Sequence, residues 1–411
     1  MMSAKDKKKG ALVPRLRFPE FRNEWTYDNL GDFLEEYSEK VNADTTLPIY
    51  SSTRDGLKAQ KDYFNGHELI NSGEYGVVPV NCFVYRHMSD DNIFIFNINL
   101  IGEAIAVSKE YPVFKAKNMS PLFLYYILNY GLDFKRFAAM QKKGGTRTRL
   151  YFSTLCSWKT LLPTKPEQQR IADCLSSLDE RITAETSKLD ALKAHKKGLL
   201  KQLFPAKGET LPQLRFPEFR DAGEWEEKPL IAVADYENGK AYEPHIIEGG
   251  RYLVVNSRFI STDGAIKKYS NEPICIAKRG DILMVLSDLP NGRALAKSYY
   301  ADADNLYAVN QRVCRLTPHS ANGKFLCFLL DRHPNLLVFD DGKNQTHLKK
   351  NSVLQCLLKL PLSFDEQQRI ADCLSSLDEL ITAQTQKIEL LKVHKKGLMQ
   401  QLFPVIDEAK A

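Results

Sequence analysis

The chain has 411 residues, 43% of them apolar, enough for two or three domains with ordinary buried cores, so disorder is excluded as the default. Lysine and arginine (57) exceed aspartate and glutamate (51), a balance that suits a polyanionic partner without requiring one. No stretch approaches the roughly 18 apolar residues of a membrane span, no apolar segment follows the basic MMSAKDKKKG, and the eight cysteines contain no CxxC pair. The expectation is a cytoplasmic protein with reduced thiols, no metal site, and neither export nor membrane insertion.

Taken in chain order, residues 1–25 carry the block LRFPEFR from Leu16, followed by Trp25. The block returns at Leu214, followed by Trp225, inside a linker of residues 205–225. Between and beyond these blocks lie two inserts, residues 26–163 and 226–361, that share little running sequence. Runs such as YGVVPVNCFVYR and DILMVLS read as strands, NSGEYG and TDG as turns, with short helices near the end of each insert, so the fold class expected is α+β. The last thirds correspond: FLxYxL at Phe123 to Leu128 recurs as FLxFxL at Phe325 to Leu330, and GxxxTxL at Gly144, Thr148 and Leu150 recurs at Gly342, Thr346 and Leu348. A proline follows each, at Pro163 and Pro361. One fold with two diverged surfaces is the reading.

Each insert runs into a repeated helix, residues 164–204 and 362–404, with a short tail at 405–411. The segment EQQRIADCLSSLDE begins at Glu167 and again at Glu366, fourteen identical residues that chance does not supply. A capping box is expected at each start, Thr164 to Glu167 and Ser363 to Glu366. Apolar residues then recur at spacings of four and three: Ile171, Leu175, Leu178, Ile182, Leu189, Leu192, Leu199 and Leu203, and Ile370, Leu374, Leu377, Ile381, Ile388, Leu391, Leu398 and Leu402. Polar notches interrupt both seams, at Glu185 and Lys196 and at Gln384 and Lys395, and each helix stops at Leu-Phe-Pro. About 40 residues make a rod of roughly 60 Å. Matching seams predict two antiparallel coiled-coil helices pairing within one chain; pairing between two copies is the competing arrangement. The repeat order also predicts that the N-terminal block closes against the distal helix. An approximate dyad would then relate two globular domains separated by the helices.

Identical supports carrying unlike surfaces suit an asymmetric, two-part DNA target, because a symmetric dimer reads only a palindrome. Candidate DNA contacts in the first insert are Lys142, Lys143, Thr146, Arg147, Thr148 and Arg149 around Gly144 and Gly145. In the second they are Asn344, Gln345, Thr346, His347, Lys349 and Lys350, with Arg258, Lys267, Lys268, Arg293 and Arg312 as further donors. Arginine forks onto guanine and Asn or Gln onto adenine, while lysine supplies sequence-blind phosphate attraction. A solvated loop, or arginines paired with scaffold acids, is the bland alternative.

Catalytic signatures are missing. The string nearest to an Asn/Asp-Pro-Pro-aromatic methyltransferase motif, Ser287-Asp288-Leu289-Pro290, lacks the second proline and the aromatic and reads as a turn. There is no GxxxxGK[ST] loop for ATP. His195 and His394 lie in the repeated HKKG without a partner at metal spacing. Gly198 and Gly397 each cost a helix about 1 kcal/mol, so their recurrence fits close approach of another subunit, or fraying. No catalytic residue is assigned. A self-sufficient methyltransferase or nuclease and a coiled-coil adaptor without DNA remain as rival functions.

The chain resembles the specificity subunit of type I restriction-modification systems. The likeness rests on PEQQRIADCLSSLDERI and DEQQRIADCLSSLDELI, HKKGLLKQLFP and HKKGLMQQLFP, and the LRFPEF blocks, over nearly the whole length. The stretch YSSTRDGLKAQKDYF from Tyr50 and the GGTRTRL loop resemble one common target recognition domain. The resemblance implies that residues 26–163 and 226–361 are target recognition domains and that double-stranded DNA is bound. It also implies two modification subunits that use S-adenosylmethionine to methylate adenine N6, and restriction subunits that use ATP and Mg. Those cofactors sit on the partners and none on this chain, which would itself be no enzyme.

Overall fold

The apolar spacing of the repeated segments is realised as two uninterrupted helices of 39 residues, Lys165–Leu203 and Phe364–Leu402. The computed structural model describes residues 14–64, 73–142, 146–289 and 292–404. The chain forms two units, residues 1–187 with 386–411, and residues 188–385. Each unit therefore combines one insert with the beginning of the helix that follows it and the end of the other helix.

Within each unit the two helical parts run antiparallel. In the first, Asp179 meets Lys395 and Glu185 meets Lys387, one number rising as the other falls. Ile171, Leu175, Leu189 and Leu203 are buried on one helix, and Ile370, Leu374, Leu377, Ile388 and Leu402 on the other. The remaining seam positions, Leu178, Ile182, Leu192, Leu199, Ile381, Leu391 and Leu398, are half-buried. The seam is more than a helix pair. Ile171, Ala172 and Leu175 join Leu402 and Phe403 in one core with the first insert, and Ile370, Ala371 and Leu374 join Leu203 in one core with the second. Periodicity locates the apolar face but not how many elements share it.

The capping box is only half realised. Ser363 Oγ accepts from the Glu366 N–H (3.3 Å), as expected, but Glu167 and Glu366 spend their carboxylates elsewhere. Glu167 takes a two-point fork from Arg17 (2.7 and 2.8 Å) and the Trp25 indole N–H (3.2 Å). Glu366 takes the same from Arg215 (2.7 and 2.8 Å) and Trp225 (3.3 Å). A guanidinium fork on a carboxylate outcompetes a single backbone N–H. The LRFPEF blocks thereby acquire a purpose. Leu16 N–H donates to the Gln401 carbonyl (3.0 Å) and Leu214 N–H to that of Gln202 (2.9 Å), so each block ties one helix start to the other helix end.

The inserts close at their roots, where the first strand pairs with the last: Thr26–Asn29 with Lys159–Leu162, and Glu226–Pro229 with Leu357–Leu360. Each then carries a four-stranded antiparallel sheet. In the first unit the order is Leu34–Tyr37, Val113–Ala116, Phe83–Tyr85, Phe96–Ile98; in the second, Ala234–Asn238, Val313–Pro318, Ile282–Val285, Ser298–Tyr300. The FLxYxL and FLxFxL segments form helices Pro121–Tyr130 and Gly323–Leu330, capped by Ser120 and Asn322. Divergence is concentrated in a three-stranded sheet. In the first unit Tyr75–Val78 is flanked by antiparallel neighbours, whereas in the second Tyr252–Val255 runs parallel to Tyr307–Val309 over a separate core including Tyr242 and Phe259.

Candidate nucleic-acid interface

The surface that carries the unlike loops is positioned by the repeated residues. Gln168 accepts from the Ser120 N–H (3.0 Å) and donates to the Pro163 carbonyl (2.9 Å), locking the insert helix onto the helix start. Gln367 does the same with Asn322 N–H (2.8 Å) and the Pro361 carbonyl (3.0 Å). Aromatic rings complete the seat: Phe123 meets Trp25 and Phe403 at 6.4 and 5.9 Å, and Phe325 meets Trp225 and Phe204 at 5.9 and 5.5 Å. Further along, three of the four polar notches, Glu185, Lys196 and Lys395, are in ion pairs. Lys395 binds Asp179 (2.6 Å) beneath the rings of Tyr126 and Tyr130, and Lys196 binds Asp378 (2.7 Å) beneath Phe328. Tyr126 adds a hydrogen bond to Asp179 (2.7 Å) that Phe328 has no hydroxyl to make. Burial, and then that carboxylate, push the Tyr126 phenol above its ordinary value.

On these seats the GxxxTxL segments occupy matching positions. Thr148–Arg149 pairs with Met88–Ser89 and Thr346–His347 with Ser287–Asp288, and the leucines beyond, Leu150 and Leu348, are buried. The structure sorts the candidate donors by direction. Lys142, Thr146, Arg147 and Arg149 are exposed in the first unit; Lys143, with Gly144 and Gly145, lies outside the described residues. Thr148 turns inward instead, its hydroxyl donating to Asn92, because alternate residues of a strand face opposite sides. Thr346 is likewise buried and bonds Asp340 (3.3 Å), so both threonines hold the loop rather than present a surface.

In the second unit Asn344, Gln345, His347, Lys349 and Lys350 are exposed. Asn344 is braced by Asp341 (2.9 Å), Gln345 by Ser287 (3.1 Å), and Lys350 lies over the Tyr236 ring at 5.5 Å. Arg312 joins them, since its carbonyl receives the Leu286 N–H while the Leu286 carbonyl receives that of Leu348. Arg258 and Arg293 are exposed on segments brought together by the Lys297–Asp263 pair (2.8 Å). Lys267 and Lys268 immediately precede Tyr269–Ser270, the edge strand of the three-stranded sheet, and the Lys268 carbonyl receives the Val254 N–H.

Two arginines absent from the sequence-derived set, Arg54 and Arg86, open onto a cleft of the first unit lined also by Tyr63, Met88, Asp90 and Ile93. Arg54 sits at the tip of the hairpin Tyr50–Thr53 and Gly56–Ala59. The Asp-Gly turn after it was the legible signal for that tip. Asp288 of the methyltransferase-like string spends both oxygens on backbone N–H groups of its own turn, Leu289 (2.9 Å) and Ala294 (2.7 Å). Burial pushes the Cys275 thiol up to about 11 and Cys314 and Cys356 to about 12, which keeps them protonated. Among the described residues no group of three His, Cys, Asp or Glu is placed to hold a metal ion, and no helix is long and apolar enough to cross a membrane.

The architecture is one seen before. It superposes on the S subunit of a type I restriction-modification system from M. genitalium with a TM-score of 0.60 at 15% identity, over 96% of this chain and 100% of that one. It also superposes on a chain from a structure addressing complex assembly and conformational transition of the type I R-M system, with a TM-score of 0.54 at 16% identity, over 92% of this chain and 97% of that one. In sequence, the type I restriction enzyme MjaVIII specificity subunit of Methanocaldococcus jannaschii is 25% identical over 419 residues, covering 94% of this chain and 93% of that one. The family model described as type I restriction modification DNA specificity domain matches residues 88–194 and 222–393, more than half of the chain, and the chain belongs to that family. Its function is thus DNA sequence recognition as a specificity subunit of a type I system.

Proposed function

We propose that each insert reads one half of an asymmetric, bipartite DNA target, and that the two long helices set the spacing and dock adenine-N6 methyltransferase subunits, so that this chain directs methylation or cleavage without chemistry of its own. One observation carries the reading. The clamps that seat the inserts are the same in both units, Arg17, Trp25 and Glu167 in one and Arg215, Trp225 and Glu366 in the other, while the exposed loops at the same register differ: Lys142, Thr146, Arg147 and Arg149 in one, Asn344, Gln345 and His347 in the other. Arginine forks suit guanine and carboxamides suit adenine, so two different half-sites follow. S-adenosylmethionine, ATP and Mg would reside on the partner subunits. Docking on the helices is supported by Gly198 and Gly397, where an added Cβ would meet open space, so nothing among the described residues requires glycine there.

Methylation mapping in a host carrying the chain with its modification subunit tests the reading. One bipartite sequence is expected, and replacing residues 26–163 with another insert should change one half-site only. Lengthening both helices by one heptad, about 10 Å, should widen the spacer by roughly three base pairs. An unchanged sequence after the insert swap would refute DNA reading by the insert; an unchanged spacer would assign the ruler to the partners.

A further inference from the structure

In the first unit two arginines far apart in the chain are held by neighbouring aspartates. Arg54 reaches Asp91 (2.8 Å) and Arg147 reaches Asp90 (2.8 Å). Both sides are built. At the hairpin tip, Gly56 adopts φ 109°, Thr53 Oγ1 accepts from the Asp55 N–H and donates to the Gly56 carbonyl, and the Asn97 amide donates to Ser52 Oγ and the Thr53 carbonyl (2.8 and 3.0 Å). In the acidic turn, Asp91 accepts from the Ser89 hydroxyl (2.8 Å) and the Ile93 N–H (3.2 Å), and Asn92 at φ 64° takes the Thr148 hydroxyl. The ion pairs themselves are open to water: Arg54 and Asp91 are 64% and 41% exposed, Arg147 and Asp90 57% and 72%. Pairs this exposed cost at most about fivefold in equilibrium to break. They contribute little to the fold; what they do is fix where two guanidiniums wait.

A carboxylate offers a guanidinium the same two-acceptor edge that guanine offers through O6 and N7, and the same charge as a phosphate oxygen. We infer that Arg54 reads a base of the first half-site alongside Arg147, and that Asp91 and Asp90 are their respective stand-in partners until DNA displaces them, braking non-specific binding. The inference rests on the first insert being a DNA reader and names how that reader works. On a wrong sequence the freed carboxylates face phosphates and repel them; on the right one a carboxylate accepts from a cytosine amino group. The device belongs to the first unit, because Asp288 of the second stands at the register of Ser89, and the two residues that follow it are Leu289 and Pro290 rather than a pair of aspartates.

The experiment uses the full chain co-expressed with its modification subunit, reading affinity for cognate and unrelated duplexes, salt dependence, and the methylated sequence. Asp90→Asn, which leaves the Asp91 turn intact, should raise affinity for unrelated duplex severalfold and change the cognate affinity less. Arg54→Ala and Arg54→Lys should both relax one position of the first half-site, lowering discrimination there about tenfold or more, because lysine keeps the charge but loses the fork. If Arg54→Ala leaves affinity and methylated sequence unchanged, or Arg54→Lys keeps full discrimination, base reading by Arg54 is wrong. Unaltered non-specific affinity in Asp90→Asn would remove the brake. A wild-type assembly that still methylates a bipartite sequence keeps the proposed function standing in each of those cases; a wild type that methylates none overturns function and inference together.

Discussion

Replacing Glu167 with glutamine tests whether the repeated glutamate is the clamp of the first unit. The side chain is 1% exposed and holds Arg17 at two points and the Trp25 indole at a third. Glutamine keeps the shape and one acceptor oxygen, so the indole retains a partner, while the guanidinium, 16% exposed, loses its counter-charge. Breaking a buried pair from one side costs about 3–5 kcal/mol. Water at the rim of Arg17 recovers part of that, which leaves about 2–3 kcal/mol. For a unit of this size that corresponds to roughly 5–10 °C in Tm. The three tryptophans make the assay selective: with Trp225→Phe in the background, Trp25 and Trp158 report on the first unit alone. Thermal and urea unfolding followed by tryptophan fluorescence then compares Glu167→Gln with its parent. A loss below about 1 kcal/mol would mean the aromatic seat, not the fork, holds the block in place.

Three further outcomes are expected. Tyr126→Phe should cost the first unit about 1 kcal/mol in urea unfolding, because Asp179 loses a hydrogen bond that the second unit manages without; no change would make that hydroxyl incidental. His333 is held below its ordinary pKa by burial and caps a short helix by accepting from the Asn335 N–H (3.3 Å). The folded state thus binds fewer protons than the unfolded one, and its stabilising contribution, complete above about pH 6.5, falls as the pH drops below that value. Asp331 nearby is pushed up by burial and works in the opposite sense at lower pH, so the test is the difference between wild type and His333→Gln, which should flatten the fall; parallel pH profiles would refute the assignment. Gly239→Ala should destabilise the second unit by about 3 kcal/mol or more, since a Cβ there would stand 2.1 Å from the Asn310 carbonyl oxygen and 2.7 Å from that of Val313; a neutral result in thermal unfolding would show that the backbone can part.

Much of this protein is legible without coordinates because its strongest signals are local. Helical periodicity, the Leu-Phe-Pro stops and the matched FLxYxL, FLxFxL and GxxxTxL strings each depend on neighbours a few residues away, and they locate the long helices and the loops. The identity of EQQRIADCLSSLDE told that something was kept twice, but not what. In three dimensions its letters separate into tasks: glutamate for the arginine block, glutamine for the insert helix, Ile-Ala and leucine for the shared core, aspartate for the distal lysine.

Pattern alone could not supply those partners. Glu167 finds Arg17 across 150 residues and Lys395 finds Asp179 across 216, and a charge carries no mark of which opposite charge it will meet. The same limit hid Arg54, whose partner Asp91 lies on a different turn, and misdirected Thr148 and Thr346, whose strand parity sends them inward. The sequence by itself determined two long, apolar-striped helices and two related inserts, because stripe and turn chemistry are properties of a short stretch of chain. Repeat order also pointed the N-terminal block at the distal helix, where Leu16 meets Gln401. Only the tertiary structure decided which side chains fasten each block, and which loop side chains face outward, because those depend on distances that exist only once the chain has closed on itself.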